Sequence, residues 1–455
     1  MEYTEIIKKQ TDYFNSNQTK DIGFRIEQLK KLKSVIKNNE STLYQAIYND
    51  FKKSEFDTYS TELSFIYHDI DESIKKIPRW AKRKRAKTNI INLPASSFII
   101  SEPLGVCLII GAWNYPYQLS LAPLVAAIAA GNTVILKPSE IPSATSAAMA
   151  KIINENFPPE IISVIEGGIT ETTALLDQKF DKIFFTGSTK VGRIVYQAAA
   201  KNLTPVTLEL GGKSPAIVTA NCNIKDSAKR IVWAKFLNAG QTCIAPDYLL
   251  VDEAIKDELL SHLKEFIVQF DYSFENNNYV QIINEQNFNR LIDLIDEKKI
   301  YFGGDSNYQN RYIAPTILTD IGFDDKVMQE EIFGPILPVI SYLDLDDAIL
   351  KIKLKPKPLS CYIFTNDGAL KNKLLKEISF GGGAVNDAVM HISNSNLPFG
   401  GVGNSGIGSY HGYAGFATFS HYKSIIDKPF WLEPSLKYPP YSEKKLTWIK
   451  RLMRI

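Results

Sequence analysis

Between residues 104 and 208 short apolar runs alternate with stretches of helical length, and this alternation constrains the fold more than any other feature. Val106–Ile110, Thr133–Leu136, Ile162–Ile165 and Lys182–Phe185 read as strands. Between them, Pro116 to Ala130 (closed by Gly131) and Ser143 to Asn156 read as helices. Strands apolar on both faces, each followed by a helix, imply a mostly parallel sheet covered on two sides. A second alternating block follows from about Lys213 to Asn386. The first 80 residues are helical in pattern, with Phe24, Ile26, Leu29, Leu32 and Ile36 at helical spacing after Thr19 and Asp21 as caps. The stretch TNIINLPASSFIISE breaks the pattern and reads as a long β-hairpin.

Composition excludes several functions. A net charge of +2 over 455 residues gives no reason to expect nucleic acid. No apolar run is long enough to cross a membrane, and the N-terminus does not read as a secretory signal. Cys107, Cys222, Cys243 and Cys361 form no CxxC pair and do not cluster with the five histidines, so neither zinc nor a disulfide framework is expected. Few cysteines in a chain of this size read as cytoplasmic, reduced thiols. Cys107 and Cys361 lie in strand-like runs and read as core.

Two stretches point to a nucleotide. DKIFFTGSTKVGRIV joins a strand to a helix through Gly187, with Ser188 as cap and Gly192 allowing close packing. Free N–H groups at such a helix start attract phosphate. The stretch is neither a P-loop nor a GxGxxG fingerprint, and an ordinary strand-to-helix connection fits it equally well. VILKPSE ends a strand with Lys137 and Glu140, suited to ribose hydroxyls or to a solvated loop.

Three stretches carry chemistry. NAGQTCIAPDY puts Cys243 in a polar turn rather than a core. VTLELGGKSP sets Glu209 between leucines before two glycines, where burial should raise its pKa into the range of a general base. IIGAWNYPY places Asn114 between a strand and a helix, where its amide can donate to an oxyanion or form a turn.

Together with EEIFGPILPV and LPFGGVGNSGIGSYHG, these motifs follow the order found in one family. From about residue 10 to its end the chain resembles the aldehyde dehydrogenase superfamily, in its class-3-like branch of fatty and aromatic aldehyde dehydrogenases. The resemblance implies that Cys243 is the nucleophile, Asn114 and the Cys243 N–H the oxyanion hole, and Glu209 the base that releases a thioester. It implies ribose contacts from Lys137 and Glu140 and a diphosphate turn at Gly187, Ser188 and Gly192. Glu331 then holds the nicotinamide ribose and Phe333 packs beside the ring. The expected cofactor is NAD, since Glu140 repels a 2′-phosphate, with NADP also accepted by such relatives. Tyr115, Tyr117 and Trp233 are candidates for an apolar substrate funnel. No metal is expected.

The fold expected is α/β, with a Rossmann-type cofactor domain (residues 1–82 and 104–208), an α/β catalytic domain (209–395), a small β bridging and oligomerisation domain (83–103 with 396–425) and a tail (426–455). The tail carries Leu446, Ile449 and Met453 on one helical face among Lys444, Lys445, Lys450, Arg451 and Arg454. Peripheral contact with an anionic membrane and packing on a partner subunit both fit it. The expected activity is NAD(P)-dependent oxidation of an apolar aliphatic, aromatic or isoprenoid aldehyde to its acid, by a homodimer. Two rivals are an acylating enzyme that passes the thioester to coenzyme A and a non-catalytic family member. Glu209 argues against the first, and the retention of Cys243, Glu209 and Asn114 together against the second.

Overall fold

The computed structural model describes residues 2–273 and 275–453. The alternating region forms a six-stranded sheet in the order Gly406–Ile407, Val206–Glu209, Lys182–Thr186, Val106–Ile110, Thr133–Lys137, Ile162–Val164. All neighbours are parallel except Gly406–Ile407, which runs antiparallel to Val206–Glu209. The chain winds outward from Val106–Ile110 to one edge and then crosses to Lys182–Thr186 on the other side. That reversal leaves a crevice at the carboxyl ends of the two central strands, where open α/β sheets bind ligands. Thr186 pairs with Glu209 and Ile110 with Lys137, so the strand ends share one rim.

The second block forms a seven-stranded sheet in the order Ile300–Phe302, Thr316–Leu318, Ile336–Tyr342, Tyr248–Asp252, Pro215–Val218, Ser360–Phe364, Gly382–Val385. Only the first of these pairings is antiparallel. The central strands of both sheets are buried along almost their whole length and mostly apolar, as two-sided burial requires. Cys107 and Cys361 are buried in these strands, and Cys222 is half-buried in a turn.

The N-terminal helix Glu2–Asn15 packs on the first sheet, and Ile22–Asn38, Glu40–Phe51 and Ser64–Trp80 pack on the helices Gln118–Ala130 and Ser143–Asn154 that cover it. Asp21 caps the second of them by accepting from the Phe24 N–H, whereas Thr19 is buried in the preceding 3₁₀ turn and caps nothing. A helix runs over Gln118–Ala130, two residues inside the expected start. Before Ser64 the chain makes a π-helical turn, Tyr59–Leu63, which carries Glu62.

A third sheet joins Lys84–Ala86, Ser96–Pro103 and Ser420–Asp427, all antiparallel. Residues 396–419 do not belong to it, and its last strand extends two residues past 425. Gly406–Ile407 instead completes the first sheet beside Glu209. A Cβ on Gly406 would lie 2.5 Å from the Leu208 carbonyl oxygen, so the glycine-rich segment settles on that edge because it lacks side chains. The helix Gly412–Thr418 packs on Gln118–Ala130 and Ser64–Trp80. In the tail a helix forms over Glu443–Met453; Arg454 lies outside the described residues.

Candidate active site

The cysteine turn is built by an abrupt break in helix geometry. After the helix Ile224–Phe236, Asn238 and Ala239 both adopt φ +53° and Gly240 φ +71°. A Cβ on Gly240 would lie 2.2 Å from the Gly334 carbonyl oxygen, so only glycine lets the two loops close. Gln241, fully buried, then pins the turn. Its Oε1 accepts from the Ile283 N–H at 3.0 Å, and its Nε2 donates to the carbonyls of Asn238 and Gln281 at 3.2 and 3.1 Å.

Asn114 and Tyr115 meet this turn from the other side. The Asn114 amide donates to the Gln241 carbonyl at 3.0 Å, and Asn238 donates back to the Asn114 carbonyl at 3.0 Å. An amide nitrogen carries two protons, so one remains for a ligand oxygen. The Tyr115 hydroxyl lies 2.7 Å from Thr242 Oγ1, next to Cys243. Cys243 itself is half-buried. Burial pushes its thiol up to about 12, and the carboxylates of Glu331 and Glu209 push the same way.

Glu209 ends its strand with both carboxyl oxygens buried and without a hydrogen-bond partner among the described residues. Burial holds its pKa well above the usual carboxylate range. Its backbone carbonyl accepts from the Gly187 N–H at 2.9 Å, which ties the carboxyl-bearing strand to the glycine turn. Glu331 lies over Gly211, where a Cβ would come within 2.0 Å of its Oε2. Its pKa rises to about 8, through burial first and then Asp247. Phe333, at φ +51°, packs edge-on against Trp113 at 5.2 Å between ring centroids.

On the nucleotide side, a Cβ on Gly187 would lie 2.6 Å from Phe185 Cζ, so the turn keeps a bare backbone. Ser188 caps the helix Thr189–Ala200 by accepting from the Val191 N–H at 3.3 Å. Gly192 packs where a Cβ would meet Leu210 Cδ2 at 2.7 Å. Lys137 is buried, its Nζ 2.6 Å from the Pro138 carbonyl and 3.6 Å from a half-exposed Glu140 carboxylate. Burial lowers its pKa. A bare glycine turn at a helix start, a buried amine beside an open carboxylate and a rim at the sheet's switch point fit a dinucleotide. They would hold its diphosphate at Gly187–Ser188 and a ribose at Lys137 and Glu140.

Trp233 lies partly exposed on the helix leading to the cysteine turn. Tyr117 does not belong with the funnel candidates. It is fully buried, and its hydroxyl donates to the Leu43 carbonyl at 2.8 Å, so it is core. Sequence reasoning missed Gln241, Thr242, Lys53, Glu62, Lys213 and Asp247. Gln241, Thr242 and Asp247 sit inside the cysteine motif and Lys213 inside the Glu209 motif, but their partners are remote in sequence.

Two parallel sheets meeting at a thiol, a bare buried carboxyl and a phosphate-type glycine turn define a nucleotide-dependent dehydrogenase. The comparisons carry this further. The profile of the aldehyde dehydrogenase family matches residues 1–425. The 4,4'-diaponeurosporen-aldehyde dehydrogenase of Staphylococcus aureus (strain NCTC 8325 / PS 47) is 48% identical over 436 residues, 95% of each chain. The dimeric NADP-preferring aldehyde dehydrogenase of Mus musculus is 44% identical over 445 residues, 97% of this chain and 98% of its own. A solved substrate-bound state of Staphylococcus aureus AldH matches with a TM-score of 0.97 and 46% identity, covering 99% of both chains. The chain belongs to the aldehyde dehydrogenase family. It is an NAD(P)-dependent aldehyde dehydrogenase of the class 3 type.

Proposed function

We propose that the protein oxidises apolar aldehydes to carboxylic acids through a thioester on Cys243. The observation that carries this is the joining of three segments around one thiol. Asn114 and Tyr115 hydrogen-bond the turn that presents Cys243, and the unpartnered Glu209 carboxyl acts electrostatically on its sulfur.

Cys243 gives up its thiol proton to solvent and the sulfur attacks the aldehyde carbon. The free Asn114 N–H and the Cys243 backbone N–H then hold the oxyanion. Bound NAD(P) supplies the hydride acceptor at its nicotinamide. After hydride loss leaves a thioester on Cys243, Glu209 takes a proton from water as that water attacks, and the acid departs. Lys137 and Glu140 hold the adenosine ribose, Gly187, Ser188 and Gly192 shape the diphosphate turn, and Glu331 and Phe333 seat the nicotinamide end. NAD is the preferred form, because a 2′-phosphate would face Glu140. A retained Glu209 disfavours transfer of the thioester to coenzyme A.

The substrate class rests on the 4,4'-diaponeurosporen-aldehyde named in the S. aureus relative and on Tyr115 and Trp233 as aromatic lining. A homodimer is supported by the relative named as dimeric and by the open edge of strand Ser420–Asp427. Free cysteines support a reducing, cytoplasmic setting. No helix among the described residues is long and apolar enough to cross a membrane. Peripheral contact through the tail is supported by exposed Phe430, Trp431, Leu446 and Trp448 beside its basic residues. A panel of aliphatic, aromatic and polyene aldehydes with NAD or NADP, ranked by kcat/KM, tests the assignment. Highest efficiency on a short polar aldehyde would defeat the apolar reading.

A further inference from the structure

The loop Glu330–Gly334 carries Glu331 and Phe333 but belongs to no strand or helix. It must nevertheless be held, because Phe333 sits at φ +51°, a conformation unfavourable for a residue with a Cβ. The holding groups come from the other two segments of the site. Asp247, four positions beyond Cys243, accepts from the Ile332 N–H at 2.9 Å through Oδ1. Its other oxygen pairs with Lys213, four positions beyond Glu209. Lys213 also donates to the carbonyls of Val327 at 3.0 Å and Glu330 at 2.9 Å. Arg290 donates to the Ile332 carbonyl at 2.8 Å. The residue between Glu331 and Phe333 is therefore gripped by both its N–H and its carbonyl. The Asp247 N–H in turn donates to the Ser214 carbonyl at 2.8 Å, so the cysteine and glutamate segments are also tied to each other.

This pair is not an ordinary surface ion pair, which would contribute little. Asp247 is buried, Lys213 nearly so, and their further side-chain bonds run to backbone of Val327, Glu330 and Ile332, in and just before the loop that carries Glu331 and Phe333. Charge-assisted bonds of this kind fix geometry as well as adding energy. Lys235 is buried nearby with no hydrogen-bond partner for its Nζ among the described residues; burial lowers its pKa and Asp247 opposes that shift.

We propose that Lys213 and Asp247 are positioning residues for the dehydrogenase reaction, a clamp that sets Glu331 and Phe333 at working distance from Cys243 and Glu209. The inference rests on the reading of Glu331 and Phe333 as seats for the nicotinamide end. Neither clamp residue needs to touch the substrate for this.

The test compares NADH binding, followed by fluorescence titration, with iodoacetamide labelling of Cys243 in the cofactor-free enzyme. The variants are Lys213→Met, Lys213→Arg, Asp247→Asn and the double variant Lys213→Met/Asp247→Asn, in which neither member of the clamp pair is left without its partner. Loss of the clamp should weaken NADH binding by about tenfold, the scale of one lost charged hydrogen bond, and raise KM for NAD more than it lowers kcat. Cys243 labelling at pH 7, below the raised pKa of about 8 of Glu331, should stay close to wild type, and Lys213→Arg should retain most of the binding. A folded double variant that binds NADH as the wild type does overturns the proposal. So does a parallel loss of labelling and binding, which marks a general structural role. Glu331→Gln separates the two readings: unchanged NADH binding there defeats the assignment of Glu331 itself, whereas weakened binding there with an unaffected double variant defeats the clamp alone.

Discussion

Lys53 and Glu62 form an ion pair at 2.7 Å with both side chains buried. Glu62 also accepts from the N–H groups of Tyr117 and Gln118 at 2.8 and 3.2 Å, so it caps the helix that follows Asn114. Lys53 Nζ lies 4.2 Å from the centre of the Tyr115 ring. The pair thus supports the loop that brings Asn114 and Tyr115 to the cysteine turn. Removing one partner leaves a bare buried charge, so Lys53→Met or Glu62→Gln should cost about 3–5 kcal/mol in denaturant unfolding. The double change to apolar residues should recover much of that stability. A single variant of wild-type stability would contradict this role.

Glu209 should separate acylation from hydrolysis. In Glu209→Gln, one equivalent of NADH per active site should appear and steady turnover should fall by about 10²-fold or more. Rapid-mixing absorbance checks this. Unchanged turnover would remove Glu209 as the base.

The same residue predicts a stability trade. Its folded pKa is raised above the unfolded value, so the folded state binds the extra proton between the two. Stability therefore falls as pH rises from the ordinary carboxylate range through the raised folded pKa. Glu209→Gln lacks this loss, and its advantage in Tm over wild type should grow with pH across that window. An advantage independent of pH would contradict the burial of an ionisable group there.

Burial first, and then Glu331 and Glu209, hold the Cys243 thiol in its protonated form in the cofactor-free site. Above about pH 8, where Glu331 is ionised, Glu331→Gln should label faster with iodoacetamide than wild type. Equal rates across the pH range would show that the two groups are not coupled.

These predictions depend on contacts of unequal legibility in the sequence. Strand–helix alternation shows the first sheet almost strand by strand, because two-sided burial writes itself as continuous apolar runs. Cys243 and Glu209 stand out because a thiol in a polar turn and a carboxylate between leucines are unusual, whereas Asn114 is an ordinary turn residue whose role comes only from the resemblance. Tyr117 was misread, since an aromatic beside a motif points to substrate or to core depending on a backbone direction that spacing does not show. For residues 396–419 the sequence does not show which sheet edge is joined, because a glycine-rich segment has no side-chain pattern. Lys53, Glu62, Lys213 and Asp247 read as ordinary charges until the fold pairs them, and none of their partners lies at helical or strand spacing.

The most direct test of the account is mass spectrometry of Glu209→Gln after exposure to an apolar aldehyde and NAD. The account predicts an acyl adduct on the peptide that contains Cys243, formed with one equivalent of NADH. No adduct there, or aldehyde oxidation that survives Cys243→Ala, would contradict it.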